Sequence, residues 1–552
     1  MTNRTRADVL LIAGFCVFLF FYGSGLFGLI GADEPRYAQV AREMLERSSH
    51  VDGWITPTLG GKPWLEKPPL YYWQAMLAYS IFGVTDVAAR IPGAVDATLL
   101  VIAVYLFFRR FRRGVEVDAA LITASCAGII GYAHAASMDM VLAASFGIGM
   151  LAWWAWREST RRIYLAGFYL CMGLGMLAKG PVAPFLAVVV ITVFALATRQ
   201  LRLVIRTLWL PGILLFCIIS LPWYVAVQML NPQFFREFIL QHNLARFSSD
   251  LYHHRAPFWY YLPVTALAFV PWTVFIAAAF FRTARRWWAE RKSIPPKAGP
   301  DFKFQFSLFA CCWLVVPLVF FSFSQSKLPG YILPVIPAGA MLLADYLRQH
   351  LEDEDAPQIS KWLIISHSLA ASVLIVPALL IAYIVTEHRL PAGRPMYIAL
   401  AIAFVLCAAI ALTIASRLRL RMLRFVTLIP VVLSVAAVLK LGSTAIDQTL
   451  STRPLALEIS SMETTRLPLA VLGVRREMEY GLNFYRNQQA ARYESGNIPQ
   501  ADHLLVAPEN RQSEIANYTA RRRVSFLGHY LPQHVDYYWV SAAPKIQPKA
   551  EQ

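Results

Sequence analysis

The stretch Gly31–Trp73, GADEPRYAQVAREMLERSSHVDGWITPTLGGKPWLEKPPLYYW, decides how the chain is read. It follows one apolar run and precedes many more. It opens on adjacent acids, Asp33 and Glu34, then Arg36 and Tyr37, and closes on Glu66-Lys67-Pro68-Pro69 before a cluster of aromatics. Between these ends Val40, Ala41, Met44 and Leu45 recur at helical spacing, with Arg42, Glu43 and Arg47 on other faces. That spacing predicts an amphipathic helix lying at a membrane surface. Acids, bases and interfacial aromatics beside a first span suit an active-site loop; they equally suit a solvated loop with an aromatic belt.

Outward from this stretch, composition fixes the class. Hydrophobic residues make up 57% of the chain and charged residues 15%, far from soluble averages. The apolar runs predict spans at 10–30, 91–108, 117–135, 140–156, 163–178, 181–198, 207–230, 258–281, 305–324, 331–347, 362–386, 397–415 and 425–441, about thirteen in all. Leu10–Ile30 is longer than a signal-peptide core and lacks a good cleavage site, so it reads as a retained span. Leu70–Val84 is apolar but short and reads as a re-entrant or interfacial helix. The fold class is therefore an all-α polytopic membrane domain over 1–441. Residues 442–552 are polar and basic, with strand-like runs at Leu469-Ala-Val-Leu-Gly and Leu504-Leu-Val-Ala, and predict a small α/β domain.

The net charge of +17 does not point to nucleic acid, because the basic residues punctuate the apolar runs. Clusters such as Arg109, Arg110, Arg112 and Arg113, or Arg282, Arg285 and Arg286, fall in the loops of one side, which is therefore cytoplasmic. The loops 31–90 and 231–257 and the C-terminal domain then face outward. All seven cysteines (16, 126, 171, 217, 311, 312 and 407) lie inside the expected spans, so disulfides play no part and no CxxC metal signal exists.

The outward loops hold the chemistry candidates. Asp139 stands at a short turn, Ser137-Met-Asp-Met, either as a functional carboxylate or as part of a helix cap shared with Ser137. Lys179, before Gly180-Pro181, either holds a phosphate or reaches to the interface. The loop at 231–257 carries His253-His254-Arg255. The two imidazoles with Glu66 form a donor set for a divalent ion, or they are hydrogen-bonded interfacial histidines. Lys327 and Tyr331 lie in Gln325-Ser-Lys-Leu-Pro-Gly-Tyr, a turn stiffened by proline. Lys67, Arg255, Lys327 and Tyr331 could converge on one phosphate and stabilise charge on it as it leaves. With Asp33 and Asp139 as nearby carboxylates, this suits glycosyl transfer from a lipid-phosphate sugar. Nucleotide sugars are cytoplasmic, so an outward site needs a lipid carrier and no nucleotide cofactor.

Seven segments make the reading specific: Ala32-Asp-Glu-Pro-Arg-Tyr-Ala with Arg42-Glu-Met-Leu; Glu66-Lys-Pro-Pro; Asp139; Met176-Leu-Ala-Lys-Gly; His254-Arg-Ala-Pro-Phe-Trp-Tyr-Tyr; and Ser326-Lys-Leu-Pro-Gly-Tyr-Ile-Leu. In this order the chain resembles the aminoarabinose lipid A transferases, membrane glycosyltransferases of the GT-C type related to protein O-mannosyltransferases. The resemblance covers the first to the tenth span; beyond about residue 350 it is architectural. It implies undecaprenyl phosphate-4-amino-4-deoxy-L-arabinose as donor, a lipid A phosphate as acceptor, and polymyxin resistance as phenotype. It further implies a monomer in the bacterial inner membrane, with the site and the C-terminus periplasmic. Asp33 and Asp139 are then the catalytic carboxylates. Lys67, Arg255, Lys327, Tyr331, Tyr37, Arg36 and Lys179 bind the donor and its phosphate, and Glu66, His253 and His254 hold zinc or another divalent cation. Glu34, ahead of Pro35, is expected only to favour the helix through its dipole. A related transferase with another sugar or a protein acceptor is the nearest rival. A lipid transporter fits less well, because there is no inverted repeat and the polar motifs gather at one face.

Overall fold

The computed structural model of the chain describes residues 3–238, 256–291, 301–352, 360–373, 419–519 and 522–542. Helix α1 (Asn3–Cys16) continues through a π-helical turn, Val17–Phe21, and stops at Tyr22. The first span thus ends at Phe21 rather than Ile30. Gly23 follows at φ +82°, a conformation that stops a right-handed helix. Next come α2 (Asp33–Glu46), a hairpin of β1 (Thr58–Leu59) and β2 (Lys62–Pro63), and α3 (Leu70–Phe82). Helix α3 is 13 residues long, too short to cross a bilayer. It lies between α2 and α4 (Asp86–Phe111) and buries Tyr71, Tyr72, Ala75, Met76 and Tyr79.

The bundle continues with α5 (Glu116–Ser125), α6 (Ala127–Ala133), α7 (Met138–Ser159), α8 (Arg162–Lys179), α9 (Val182–Ala197), α10 (Leu210–Leu230), α11 (Tyr261–Ala268) and α12 (Thr273–Glu290). Then follow α13 (Phe302–Phe323), a 3-10 segment (Pro329–Val335), α14 (Ile336–Glu352), α15 (Lys361–Val373) and α16 (Arg419–Ala437). Among the described residues five helices are long and apolar enough to cross a membrane, or up to eight if each bent pair is one span. The chain is a multi-pass membrane protein.

Two expected straight spans are broken. The run 117–135 bends by 63° at Cys126, and the run 258–281 bends by 116° between Ala268 and Thr273. The second break has a local cause: Pro271 lacks a donor and pushes Val270 out of the helical region. The first has a distant one. Cys126 is extended, and the Ala127 N–H donates to the Val270 carbonyl at 2.9 Å, so each break satisfies the backbone of the other. The expected span 397–415 and the second half of 362–386 lie outside the described residues.

After α17 (Ser443–Leu450) and α18 (Arg453–Ser461) comes a five-stranded sheet, order β4-β3-β5-β7-β6, from β3 (Leu469–Val471), β4 (Ala491–Arg492), β5 (His503–Pro508), β6 (Val524–Tyr530) and β7 (Val535–Val540). β3 runs parallel to β4 and β5; β7 is antiparallel to β5 and β6. Side chains alternate as the pleat requires. Leu469, Val471 and Leu504 join one core with Leu455 and Leu482, while Ala470 and Leu505 join a second with Ile515. Leu482 belongs to α19 (Arg476–Arg486) and Ile515 to α20 (Gln512–Thr519).

Helix α2 is not laid on lipid. Its apolar residues Val40, Ala41 and Met44 are fully buried, and its other face meets α19, where Arg42 Nη1 donates to the Phe484 carbonyl at 2.7 Å. A polar clasp fixes the same junction. Arg453 pairs with Asp86 at 2.9 Å and Asp447 at 2.7 Å, and donates to the carbonyls of Gly25 and Leu26. Tyr485 Oη donates to Asp86 and receives the Leu29 N–H. The far ends of α4, α7 and α14 carry a second network: Arg112 with Glu158 at 2.7 Å, and Asp345, fully buried, with Arg348 at 2.9 Å and Ser307 at 2.7 Å.

Candidate active site

Two carboxylate–cation pairs stand near the start of α2, the start of α7, the end of α8 and the 3-10 segment. The first centres on Arg36, which is 9% exposed, while the Asp33 side chain it bonds is 51% exposed. They sit three residues apart in the first turn of α2, so they face the same side. Arg36 also stands 3.9 Å from Glu66 and lies over the rings of Tyr37, Trp64 and Tyr480. Burial works against its charge, but Tyr37, Asp33 and Glu66 together raise its pKa. A fixed cation therefore orients the half-exposed Asp33 carboxylate toward solvent. The Tyr37 hydroxyl is held well above the usual tyrosine range, first by burial and then by Asp33.

The second pair is Asp139 with Lys179. Ser137 caps α7 by accepting the Asp139 N–H at 3.3 Å. The cap is thus the serine, and the Asp139 carboxylate is left for Lys179. Lys179 Nζ in turn lies 4.5 Å from the centre of the Tyr331 ring. Gly330 is needed here by close approach: a Cβ would come 2.6 Å from Asp139 Cγ and 2.8 Å from Tyr132 Oη. Tyr132 and Asp139 meet beside Gly330, and the Ala136 N–H, just before α7, donates to Glu34 at 2.9 Å, which brings the start of α7 against the start of α2.

Lys327 is buried, donates to the Ser324 carbonyl, and has its pKa lowered by burial. Its turn is anchored by Tyr261, whose hydroxyl donates to the Leu328 carbonyl and accepts the Leu328 N–H, both at 3.1 Å. Lys67 is also buried, at 9% exposure. Arg255, His253 and His254 lie outside the described residues. Among the described residues no three His, Cys, Asp or Glu side chains form a metal cluster.

Glu34 does more than favour a helix dipole. Its side chain is buried and accepts from Arg90 Nη2 at 2.7 Å and from the N–H groups of Ile30 and Ala136, each at 2.9 Å. Arg90, 1% exposed, also donates to the carbonyls of Ser24, Phe27 and Gly28. The pair fixes the entry to α2 against α4 and leaves Asp33 as the outward carboxylate. Sequence reasoning missed Arg90, Tyr132 and Tyr72. Tyr72 is fully buried, its hydroxyl has no partner among the described residues, and its ring meets those of Tyr37 and Tyr71 edge-on. The one available signal was its place beside Glu66-Lys67-Pro68-Pro69.

The profile of the dolichyl-phosphate-mannose-protein mannosyltransferases matches residues 66–225. An undecaprenyl phosphate-alpha-4-amino-4-deoxy-L-arabinose arabinosyl transferase of Pseudomonas savastanoi pv. phaseolicola is 30% identical over 407 residues, 73% of this chain and 72% of that protein. The transferase of the same name from Pseudomonas paraeruginosa is 32% identical over 360 residues, which span 64% of this chain and 62% of the relative's length. The crystal structure of ArnT from Cupriavidus metallidurans bound to undecaprenyl phosphate superposes with a TM-score of 0.72 at 23% identity, covering 96% of this chain and 97% of that one. Its apo form gives the same TM-score at 21% identity. Similarity at that level establishes a shared fold, and the sequence relatives carry the assignment further: the chain belongs to the undecaprenyl phosphate-alpha-4-amino-4-deoxy-L-arabinose arabinosyl transferase family.

Proposed function

We propose that the protein transfers 4-amino-4-deoxy-L-arabinose from undecaprenyl phosphate to a phosphate of lipid A, at the periplasmic face of the inner membrane, and so confers polymyxin resistance. In a chain of this family, the observation that carries the reading is that Asp33–Arg36 and Asp139–Lys179 stand at two helix starts tied together by the Ala136 N–H bond to Glu34 at 2.9 Å. The acceptor phosphate is already an anion at neutral pH and needs no general base. Asp33 therefore orients the acceptor or the sugar's amine, or stabilises positive charge at the anomeric carbon. Lys67, Arg255, Lys327 and Tyr331 hold the departing polyprenyl phosphate, with Arg36, Tyr37 and Lys179 framing the donor. Direct displacement with inversion is the simplest course.

The reading includes thirteen membrane passes over 1–441, a periplasmic α/β domain over 442–552 and a monomeric enzyme. It also includes a divalent ion on Glu66, His253 and His254, supported by the largely buried Glu66 carboxylate, which already faces the cation of Arg36. Carboxylate and imidazoles are donors that zinc accepts. The ion would add positive charge beside the donor phosphate. Metal content of the purified protein should fall in Glu66→Gln; equal content in both removes the ion from the scheme.

The deciding experiment gives purified protein in detergent radiolabelled donor lipid and lipid A. A transferase consumes the donor without needing two compartments, and mass spectrometry finds the sugar on lipid A. Donor left intact refutes the proposal. Lys67→Ala should lower transfer by about a hundredfold, the size of a lost charge-assisted phosphate contact.

A further inference from the structure

A cavity lies apart from the site just described, between α2, the β1–β2 hairpin and α19. Its volume is about 560 Å³, within the range of small-molecule sites. Gln39 and Trp64 line it, and among the described residues both carry a buried polar atom without a partner: the Gln39 carbonyl oxygen, on a residue only 8% exposed, and the Trp64 indole N–H. Such orphaned groups cost free energy unless a ligand or water meets them. One is an acceptor and the other a donor; both are closed to water as they stand, so a small side-chain shift would offer a pair of ligand hydroxyl groups one partner of each kind. The remaining wall has the same character. Tyr480 and Trp64 offer rings, Gln489 an exposed amide, and Glu43 and Glu479 carboxylates.

The carboxylates are already held. Glu43 receives the N–H groups of Gly60 and Gly61 and the Gln39 amide, and Glu479 pairs with Arg492 at 2.6 Å. Glu46, Arg47 and Arg492 line the cleft as well, with Arg47 paired to Asp52 at 2.9 Å, so the wall mixes both signs and is not a single-sign site for a phosphate or a metal ion. Aromatic faces with amide and carboxylate acceptors are the chemistry that recognises a polyhydroxylated ring.

We propose that this cleft is a saccharide site that takes the sugar backbone of the glycolipid acceptor. The proposal rests on the transferase reading above and names where its acceptor is gripped. Arg36 links the two places: it bonds Asp33 on one side and lies 5.3 Å and 5.7 Å from the Trp64 and Tyr480 ring centres on the other. An acceptor seated in the cleft is thus one side chain away from the outward carboxylate. The donor's apolar chain belongs in lipid and does not fit a wall built of amides, carboxylates and guanidinium groups.

The test uses the full-length protein in detergent and the de-acylated, water-soluble disaccharide of lipid A as probe. Saturation-transfer NMR should show it bound to the unaltered protein. Gln39→Leu, which keeps shape and removes the amide, and Gln489→Trp, which fills the cleft from its exposed rim, should both weaken probe binding. Both should raise the acceptor KM about tenfold, with donor KM and kcat unchanged. Transfer by the unaltered protein with an unchanged acceptor KM in both variants overturns the proposal. So does a rise in donor KM instead. If the unaltered protein transfers nothing, the transferase reading falls, and the probe-binding arm alone still decides the cleft.

Discussion

Asp33 and Glu34 are neighbours with opposite fates. Asp33 is half exposed and steered by Arg36, whereas Glu34 is buried against Arg90 and two backbone amides. Asp33→Asn keeps the shape and removes the charge. It should abolish sugar transfer and leave thermal unfolding of the detergent-solubilised protein unchanged. Glu34→Gln should do the reverse. It leaves the Arg90 guanidinium uncompensated in a buried site, which costs about 3–5 kcal/mol, so the unfolding midpoint drops while the transfer rate per folded molecule is largely kept. A dead but fully stable Glu34→Gln protein would exchange the two roles. The difference was not legible in the sequence. Asp33, Arg36, Asp139 and Lys179 announce themselves as charges at the ends of apolar runs. Arg90 reads only as the flank of a span, and its partner lies 56 positions away.

Among the elements, the 3-10 segment Pro329–Val335 is the one the site depends on most closely. Its Gly330 backbone lies against Asp139 and Tyr132. Gly330→Ala should push the carboxylate off Lys179 and lower transfer by on the order of a hundredfold, because small displacements of positioned groups are costly. Ser137→Ala removes only the cap of α7, about 1 kcal/mol of stability, and should leave kcat near normal. Equal loss of kcat in the two variants would mean that Asp139 is needed for the helix rather than for the reaction. Periodicity made α2 readable, since Val40, Ala41 and Met44 follow the helical repeat and are buried. It could not show what covers the opposite face, because α19 comes from the far end of the chain. The break at Cys126 was equally hidden: no proline or glycine stands at 126, and the group that holds it open is the carbonyl of Val270.

Over the whole molecule, ionic networks mark the two ends of the bundle, one around Asp345 and Arg112, the other around Arg453 and Asp86. The second ties the backbone ahead of Asp33 to residues 447–485. Arg453→Ala should raise hydrogen exchange at the Gly28 and Leu29 amides, which Asp447 and Tyr485 otherwise hold, and loosen the sheet-bearing segment to proteolysis. Unchanged protection would make the clasp dispensable. An alkaline phosphatase fusion at the C-terminus should be active; an inactive one reverses the proposed orientation. The clasp also sets an order in time. The ribosome finishes Asp33, Arg36, Asp139 and Lys179 long before it reaches Asp447 and Tyr485, so the Gly28 and Leu29 amides gain their side-chain acceptors only when those late residues emerge. A chain cut short by a premature stop codon before residue 447 would keep the Glu34–Arg90 anchor and lack this second footing for the loop that carries Asp33.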